Sequence, residues 1–271
     1  MAEDLLGLSG RVAVVHGGGG NIGRATTMLL ARAGAHVAVV DVDGDAAARV
    51  AADASKLGPE AWAATVDGRD AAAVEWVVDA VVDRWGRLDT AVHLVGGGSG
   101  EGAVLETPDS TFAAVLELNL LSTLWGCRAA ARAMQRQGGG SIVNIASPAA
   151  LRAAPGMAAY GASKAAIVNL SATLAVELAP HGIRVNVVVP AFVGTESGGW
   201  GGDAARQEAI ARRAVPMGRT TRASEVAGAI VCFASQLTGF CTGQVLVCDG
   251  GRLLTNPIFA AADAGEAGAP A

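Results

Sequence analysis

Cysteine is scarce in this sequence, and its spacing forms no reactive or ligating pair. Cys127, Cys232, Cys241 and Cys248 make no C-x-x-C motif, and the four histidines are scattered. A metal site is therefore not expected, nor is a disulfide framework in a chain of this length. The opening MAEDLLGLSG carries acids and lacks the apolar h-region of a secretory leader, and no uncharged apolar run reaches the length of a membrane span. These absences suggest a reduced, soluble, cytoplasmic protein. Charge is also thin, at 17% of residues, with both signs interspersed and a net charge of −5. No basic stripe is present to neutralise a row of phosphates, which argues against nucleic acid as a partner. Aromatic residues make up only 4%, and tyrosine occurs once.

What is abundant is small or apolar. Half the residues (51%) are apolar and 37 are glycine, a composition that argues for a well-buried fold with closely packed elements and against disorder. The 271 residues suffice for one α/β domain with a large core. Short β-branched runs alternate with helical stretches. Strands are predicted at 12–17, 36–41, 61–67, 88–95, 141–146, 183–189 and 244–249, with helices at 22–33, 45–57, 70–85, 107–137, 158–179 and 224–234. Val74, Val77, Val78, Val81 and Val82 make one apolar face of the third helix. Gly58 reads as a helix C′ residue, and Thr107-Pro108 as an N-cap followed by proline at N1. Continuous apolar strands that alternate with helices imply a doubly wound, Rossmann-type parallel sheet of about seven strands, covered on both faces. No linker or repeat divides the chain, so one domain is expected over 1–271, with its core over about 9–251. The Gly-rich stretch 194–215 interrupts the alternation and reads as a lid, and the low-complexity end 260–271 reads as a mobile tail.

Two places carry chemistry. The first strand runs into HGGGGNIG (16–23), whose glycines would let backbone approach a pyrophosphate at a helix N-terminus. The spacing is closer to G-x-x-x-G-x-G than to G-x-G-x-x-G. Asp41 ends the second strand, 18 positions after Gly23, where a carboxylate can accept hydrogen bonds from ribose hydroxyls and repel a 2′-phosphate. With no Lys or Arg at 16–23 or 41–43, this favours NAD over NADP. The ordinary alternative for Asp41 is a helix N-cap, a task open to Asp43 or Asp45. The second place is Tyr160, with Lys164 four residues on and so on the same helical face. A tyrosine has a pKa of about 10, and a neighbouring ammonium or an oxidised nicotinamide ring favours its phenolate. Such a group can exchange a proton with a substrate oxygen. A bare Y-x-x-x-K is, on its own, an ordinary amphipathic pair.

The order of motifs changes that reading. From Ser9 to Gly251 the chain resembles the short-chain dehydrogenase/reductase family in its single-domain form. The stations are the Gly-rich turn, Asp41, Asp67-Gly68, Gly96, Asn119, IVNIAS, YGASK, IRVN, P-x-x-V-x-T and DGG. The resemblance implies an NAD-dependent oxidoreductase that moves a hydride between nicotinamide C4 and a carbinol or carbonyl carbon. It assigns Asn119, Ser147, Tyr160 and Lys164 to catalysis. Tyr160 is the acid/base, and Ser147 holds the substrate oxygen. Lys164 also binds the nicotinamide ribose, and Asn119 opens its helix to hold a relay water. It implies cofactor contacts at Gly17, Asn21, Ile22, Gly23, Asp41, Val42, Asp67, Gly68, Gly96, Tyr160, Lys164, Pro190, Val193 and Thr195.

Departures from the family pattern cluster. His16 stands where threonine is usual, and HLVG (93–96) replaces N-N-A-G. Because those two family elements touch, a joint repacking of the first and fourth strands is expected. Asn21 replaces a glycine and is tolerable if its backbone is helical. Ala191 replaces another and should tighten the nicotinamide pocket. The expected substrate wall comprises Ser147, Pro148, Ala149, Met157, Tyr160, Phe192 and Trp200, which suits a small apolar, cyclic secondary alcohol or ketone. Arg152 could meet an acidic group, though a solvated arginine is the plainer reading. The flexible GGGSG (96–100) lies near the expected mouth. The family also implies a homotetramer built through 107–137, 158–179 and 224–250. Enoyl reductases space Tyr and Lys more widely, and epimerases carry a longer C-terminal domain, so neither fits. An NAD-sensing binding protein without turnover is the remaining alternative.

Overall fold

The computed structural model describes residues 4–98, 101–194 and 203–255. Seven strands, β1 (Val12–His16), β2 (His36–Asp41), β3 (Ala61–Thr65), β4 (Thr90–His93), β5 (Gly140–Ile145), β6 (Ile183–Pro190) and β7 (Val245–Cys248), form one parallel sheet in the order β3-β2-β1-β4-β5-β6-β7. The order reverses between β1 and β4, so a crevice opens there at the C-terminal strand ends, where ligands bind in open α/β sheets. The helices are α1 (Asn21–Arg32), α2 (Gly44–Ala54), α3 (Ala71–Trp85), α4 (Asp109–Leu116), α5 (Ser122–Gln137), α6 (Ala158–Leu178), α7 (Ala204–Ala214) and α8 (Ala223–Ala234).

The two-residue period of a strand explains the two cores. Val12 and Val14 of β1 point into a layer with Val74, Val77, Val78 and Val81 of α3 and with α5. Ala13 and Val15 point the other way, against Leu30 of α1, Val50 of α2, and Val226 and Ile230 of α8. The third helix begins at an Asp70 cap and stops at Gly86, whose φ of 76° only glycine adopts freely. Helix α6 is apolar and long enough, by composition, to cross a membrane, yet Ala159, Ser163, Lys164, Ile167 and Ser171 along it are buried in the protein.

Four local expectations change. Helix α2 ends at Ala54 with Ser55 as C-cap, so Gly58 is no C′ residue. It is glycine because a Cβ there would come within 2.0 Å of the Ala31 carbonyl oxygen. Pro108, not Thr107, is the N-cap of α4, and the Thr107 hydroxyl donates backward to the Glu101 and Ala103 carbonyls. The single helix read over 107–137 is three pieces, with a π turn at Glu117–Leu121 between α4 and α5. The segment read as a lid contains α7, capped by Asp203, while 195–202 lies outside the described residues.

The departures at His16 and His93 are neighbours. The two residues pair in register across β1 and β4, and their rings stack with centroids 5.1 Å apart. Both are buried, and neither Nε2 has a hydrogen-bond partner among the described residues. Burial lowers His16 to about 4 from an ordinary value of 6.5, and burial, with His16 beside it, holds His93 well below its ordinary value. Both rings are therefore neutral in the folded protein at pH values where the unfolded chain protonates them. Between pH 6.5 and about 4 the unfolded state binds more protons, so stability present at neutral pH is lost as pH falls through that window. We expect His16 alone to remove about 3 kcal/mol by the bottom of the window. Urea titrations across it measure this, and combining His16→Thr with His93→Asn should flatten the dependence.

Candidate active site

At the nucleotide end, β1 turns sharply into α1. Gly17 has φ +77° and donates its N–H to the Val40 carbonyl at 2.8 Å. A Cβ on Gly23 would lie 2.1 Å from the Gly17 oxygen, so helix and turn touch there because both residues are glycine. Gly20 is the N-cap and supplies no side chain, and the first turn of α1 holds no acidic residue. An anion can thus approach the first-turn N–H groups directly. Asn21 is the first residue of α1, so its backbone is helical, and its Nδ2 donates to the Gly194 carbonyl at 2.9 Å. Ile22 is half-buried beside it.

Asp41 sits at the end of β2 with its carboxylate turned toward this turn, accepting from Gly19 N–H at 2.9 Å and Asp43 N–H at 3.0 Å. Asp43, accepting from Ala46 N–H, caps α2, so the cap reading does not account for Asp41. Each carboxylate oxygen accepts more than one hydrogen bond, which leaves Asp41 capacity for a diol. Val42 is exposed beside it. Asp67 is held below the usual carboxylate range by hydrogen bonds from Arg69, and Gly68 packs on Val95. The residues present fit a dinucleotide.

At the chemical end, Ser147 leaves β5, and Tyr160 and Lys164 project from the first turns of α6. Tyr160 is hydrogen-bonded to Ser147, whose Oγ also accepts from Ala149 N–H at 3.3 Å. Burial raises the Tyr160 phenol, and the Ser147 bond offsets part of that rise. Lys164 is only 4% exposed, donates from Nζ to the Ile145 carbonyl at 3.2 Å, and is lowered by burial to about 8. Its Nζ lies 5.8 Å from the Tyr160 ring centroid. The ammonium therefore faces the ring, and the depressed phenol expected from the sequence does not arise from Lys164 alone.

Asn119 is fully buried inside the π turn. Its Nδ2 donates to the carbonyls of Gly97 (2.8 Å) and Val115 (2.9 Å), and its Oδ1 accepts from Gly97 N–H (3.2 Å). Gly96, at φ +149°, lies so close that a Cβ would come 2.5 Å from Asn119 Oδ1 and 3.1 Å from Lys164 Nζ. The helix read as opened by Asn119 is opened, and the side chain holds the loop after β4.

Of the residues expected at the substrate wall, Pro148 and Ala149 follow Ser147 directly and Met157 precedes α6, while Pro190 ends β6 with Ala191 buried after it. Phe192 has a positive φ of 45°, and Val193 bridges to Thr221. Thr195 and Trp200 lie outside the described residues.

Sequence reasoning missed Gly98 and Glu101. A Cβ on Gly98 would lie 2.5 Å from the Tyr160 ring, so this glycine makes room for the phenol. The Glu101 carboxylate accepts from Ala159 N–H at 2.8 Å and Tyr160 N–H at 3.0 Å, capping α6 from 58 and 59 residues away. Met157 supplies no side-chain cap of its own, and that gap was the available signal. We expect Glu101→Ala to cost about 1 kcal/mol and to speed amide hydrogen exchange at Ala159 and Tyr160 together; unchanged exchange at both would refute the cap.

Residues 18–252 match a family model described as enoyl-(acyl carrier protein) reductase. Among characterised proteins, the chain is 38% identical to D-threitol dehydrogenase of Mycolicibacterium smegmatis, over 90% of this chain and 93% of that one. It is 35% identical to cyclohexanol dehydrogenase of Rhodococcus sp. (strain TK6), over 92% and 98% of the two chains. The crystal structure of NAD+-bound xylitol dehydrogenase superposes with a TM-score of 0.84 at 32% identity, covering 90% of this chain and 99% of that one. A likeness running nearly end to end in both sequence and fold places the molecule: the chain belongs to the short-chain dehydrogenase/reductase family of oxidoreductases.

Proposed function

We propose that the protein is an NAD-dependent alcohol dehydrogenase that interconverts a secondary alcohol and its ketone. The observation that carries the reading is the meeting of Ser147, Tyr160 and Lys164 at the C-terminal ends of β5 and β6, beside the turn that fits a dinucleotide. The bound nicotinamide would accept or donate the hydride at C4. Ser147 holds the substrate oxygen, Tyr160 takes up or returns its proton, and Lys164 orients the nicotinamide ribose through its ammonium. Asp41 favours NAD because its carboxylate can accept from both ribose hydroxyls and would repel a 2′-phosphate. Gly17, Asn21, Ile22, Gly23, Val42, Asp67, Gly68, Gly96, Pro190, Val193 and Thr195 complete the cofactor's surroundings in this reading.

An apolar wall of Pro148, Ala149, Met157 and Phe192 suits a compact, cyclic substrate body, and the likeness to a cyclohexanol dehydrogenase supports that choice. We read the chain as one catalytic unit working in the cytoplasm, where its four free thiols would stay reduced. The open edge strand β7, with Val245, Leu246 and Val247 each more than a third exposed, supports assembly into a homo-oligomer, with a tetramer expected.

Tyr160→Phe should lower turnover by roughly 10²–10⁴-fold while leaving NAD affinity within a factor of about two, read from NADH absorbance and from calorimetric titration. Turnover that survives would refute Tyr160 as the acid/base. NAD binding without turnover on any alcohol would favour the sensor alternative instead. Asp41→Ser should shift the ratio of kcat/KM for NAD over NADP by at least about tenfold toward NADP, the scale of one lost charge-assisted hydrogen bond. An unchanged ratio would detach cofactor choice from this residue.

A further inference from the structure

Among the described residues Phe192 is the only non-glycine with a positive φ, 45°. A bulky residue held there is strained and persists only where its surroundings impose it. Here they do: the Phe192 carbonyl accepts from Thr221 N–H at 2.9 Å, and the Thr221 hydroxyl donates to the Ala191 carbonyl at 2.8 Å. The turn sets the Phe192 ring beneath Arg252, whose guanidinium carbon lies 3.9 Å from the ring centroid.

Arg252 is half-buried, and no hydrogen bond or carboxylate partner meets its guanidinium among the described residues. Asp249 bears on it favourably, with its two oxygens also accepting backbone N–H groups from Gly251 at 2.8 Å and Leu253 at 2.7 Å. The other charge acting on Arg252 is Arg152, another cation. Arg152 is exposed on the turn just past Ser147, its N–H bonded to the Pro148 carbonyl at 3.1 Å, and it too has no ion-pair partner among the described residues. Arg152 and Arg252 thus act on each other past the ends of β5 and β7, and among the described residues Asp249 is the carboxylate that bears on Arg252. Burial first, and Arg152 after it, lower Arg252, and Asp249 offsets part of that.

We propose that Arg252 and Arg152 form an anion subsite at the substrate end of the crevice, which takes a carboxylate, sulfonate or phosphate group carried by the alcohol or ketone. The inference deepens the dehydrogenase reading and rests on it for the word substrate. The apolar wall holds the body of the molecule, and the arginines hold its charged end. Phe192 fixes the plane of the Arg252 fork by stacking, which preorganises its free N–H groups for bidentate contact. Arg252 stands past β7, five strands from β2 and Asp41, and the NAD-affinity arm of the test separates a substrate anion from the cofactor's own phosphates.

Calorimetric titration of cyclohexanecarboxylate against its neutral isostere cyclohexanecarboxamide, with and without NAD, tests the assignment. The carboxylate should bind at least about tenfold tighter, a preference that about 0.5 M salt reduces. Arg252→Gln should abolish most of it, Arg152→Gln a smaller part, and Arg252→Lys should restore some, with NAD affinity unchanged throughout. Equal binding of the two compounds, binding of neither, or a preference that survives Arg252→Gln would overturn the proposal. A tenfold loss of NAD affinity in Arg252→Gln would also overturn it, by assigning the arginine to the cofactor. Failure of the wild-type protein to bind NAD would count against the dehydrogenase reading alone, since the nucleotide-free titration still reports on the arginines.

Discussion

Lys164 carries a positive charge into the interior, and the cost of removing an ammonium from water is what the centre of this molecule is organised around. Its Nζ finds the Ile145 carbonyl at the end of β5, a group left free where the strand stops pairing. For that contact to form, the loop after β4 must pass within van der Waals distance of the ammonium, and only a residue without a side chain fits at position 96. The loop in turn is held by Asn119, and Asn119 reaches it because a π turn interrupts the helical run. One buried cation therefore binds together the end of β5, the start of α6, the β4 loop and the irregular turn between α4 and α5.

The crevice divides at the point where the sheet reverses. The half built on β1 and β2 presents uncapped N–H groups and a single carboxylate. The half built on β5, β6 and β7 presents the Tyr160 phenol and the Ser147 hydroxyl. The halves are not independent, since the Asn21 side chain, at the start of α1, holds the Gly194 carbonyl 173 residues away. A residue that replaces a family glycine has become a tie between the nucleotide turn and the segment leading out of β6.

Much of this was legible in the sequence because its signals are local or periodic. The valines of β1 and α3 and the Gly86 stop each follow from neighbours within a turn or two. Tyr160, Lys164 and Ser147 could be singled out from the order of their motifs, and the joint change at His16 and His93 from the contact those positions make in relatives. What escaped depends on partners distant in the chain. Glu101 looks like any acid in a glycine-rich loop until its two amide partners, almost sixty residues on, are seen. The π turn hides in a sequence with unbroken helical character, and α7 hides behind the glycines that precede it. Gly58 was misread because the reason for it, a close pass of the Ala31 carbonyl, lies on another helix.

The stacked imidazoles have a historical consequence. The His93 ring occupies the space beside Gly126, where a Cβ would lie 2.3 Å from the ring, and its other side rests against His16. Three positions on two strands and a helix now presuppose one another. A lineage returning to the common residues would have to cross intermediates in which a hole, a bare polar atom or a collision sits beneath the nucleotide floor. The two histidines and the glycine therefore constrain one another, and changing any one alone disturbs the packing of the other two.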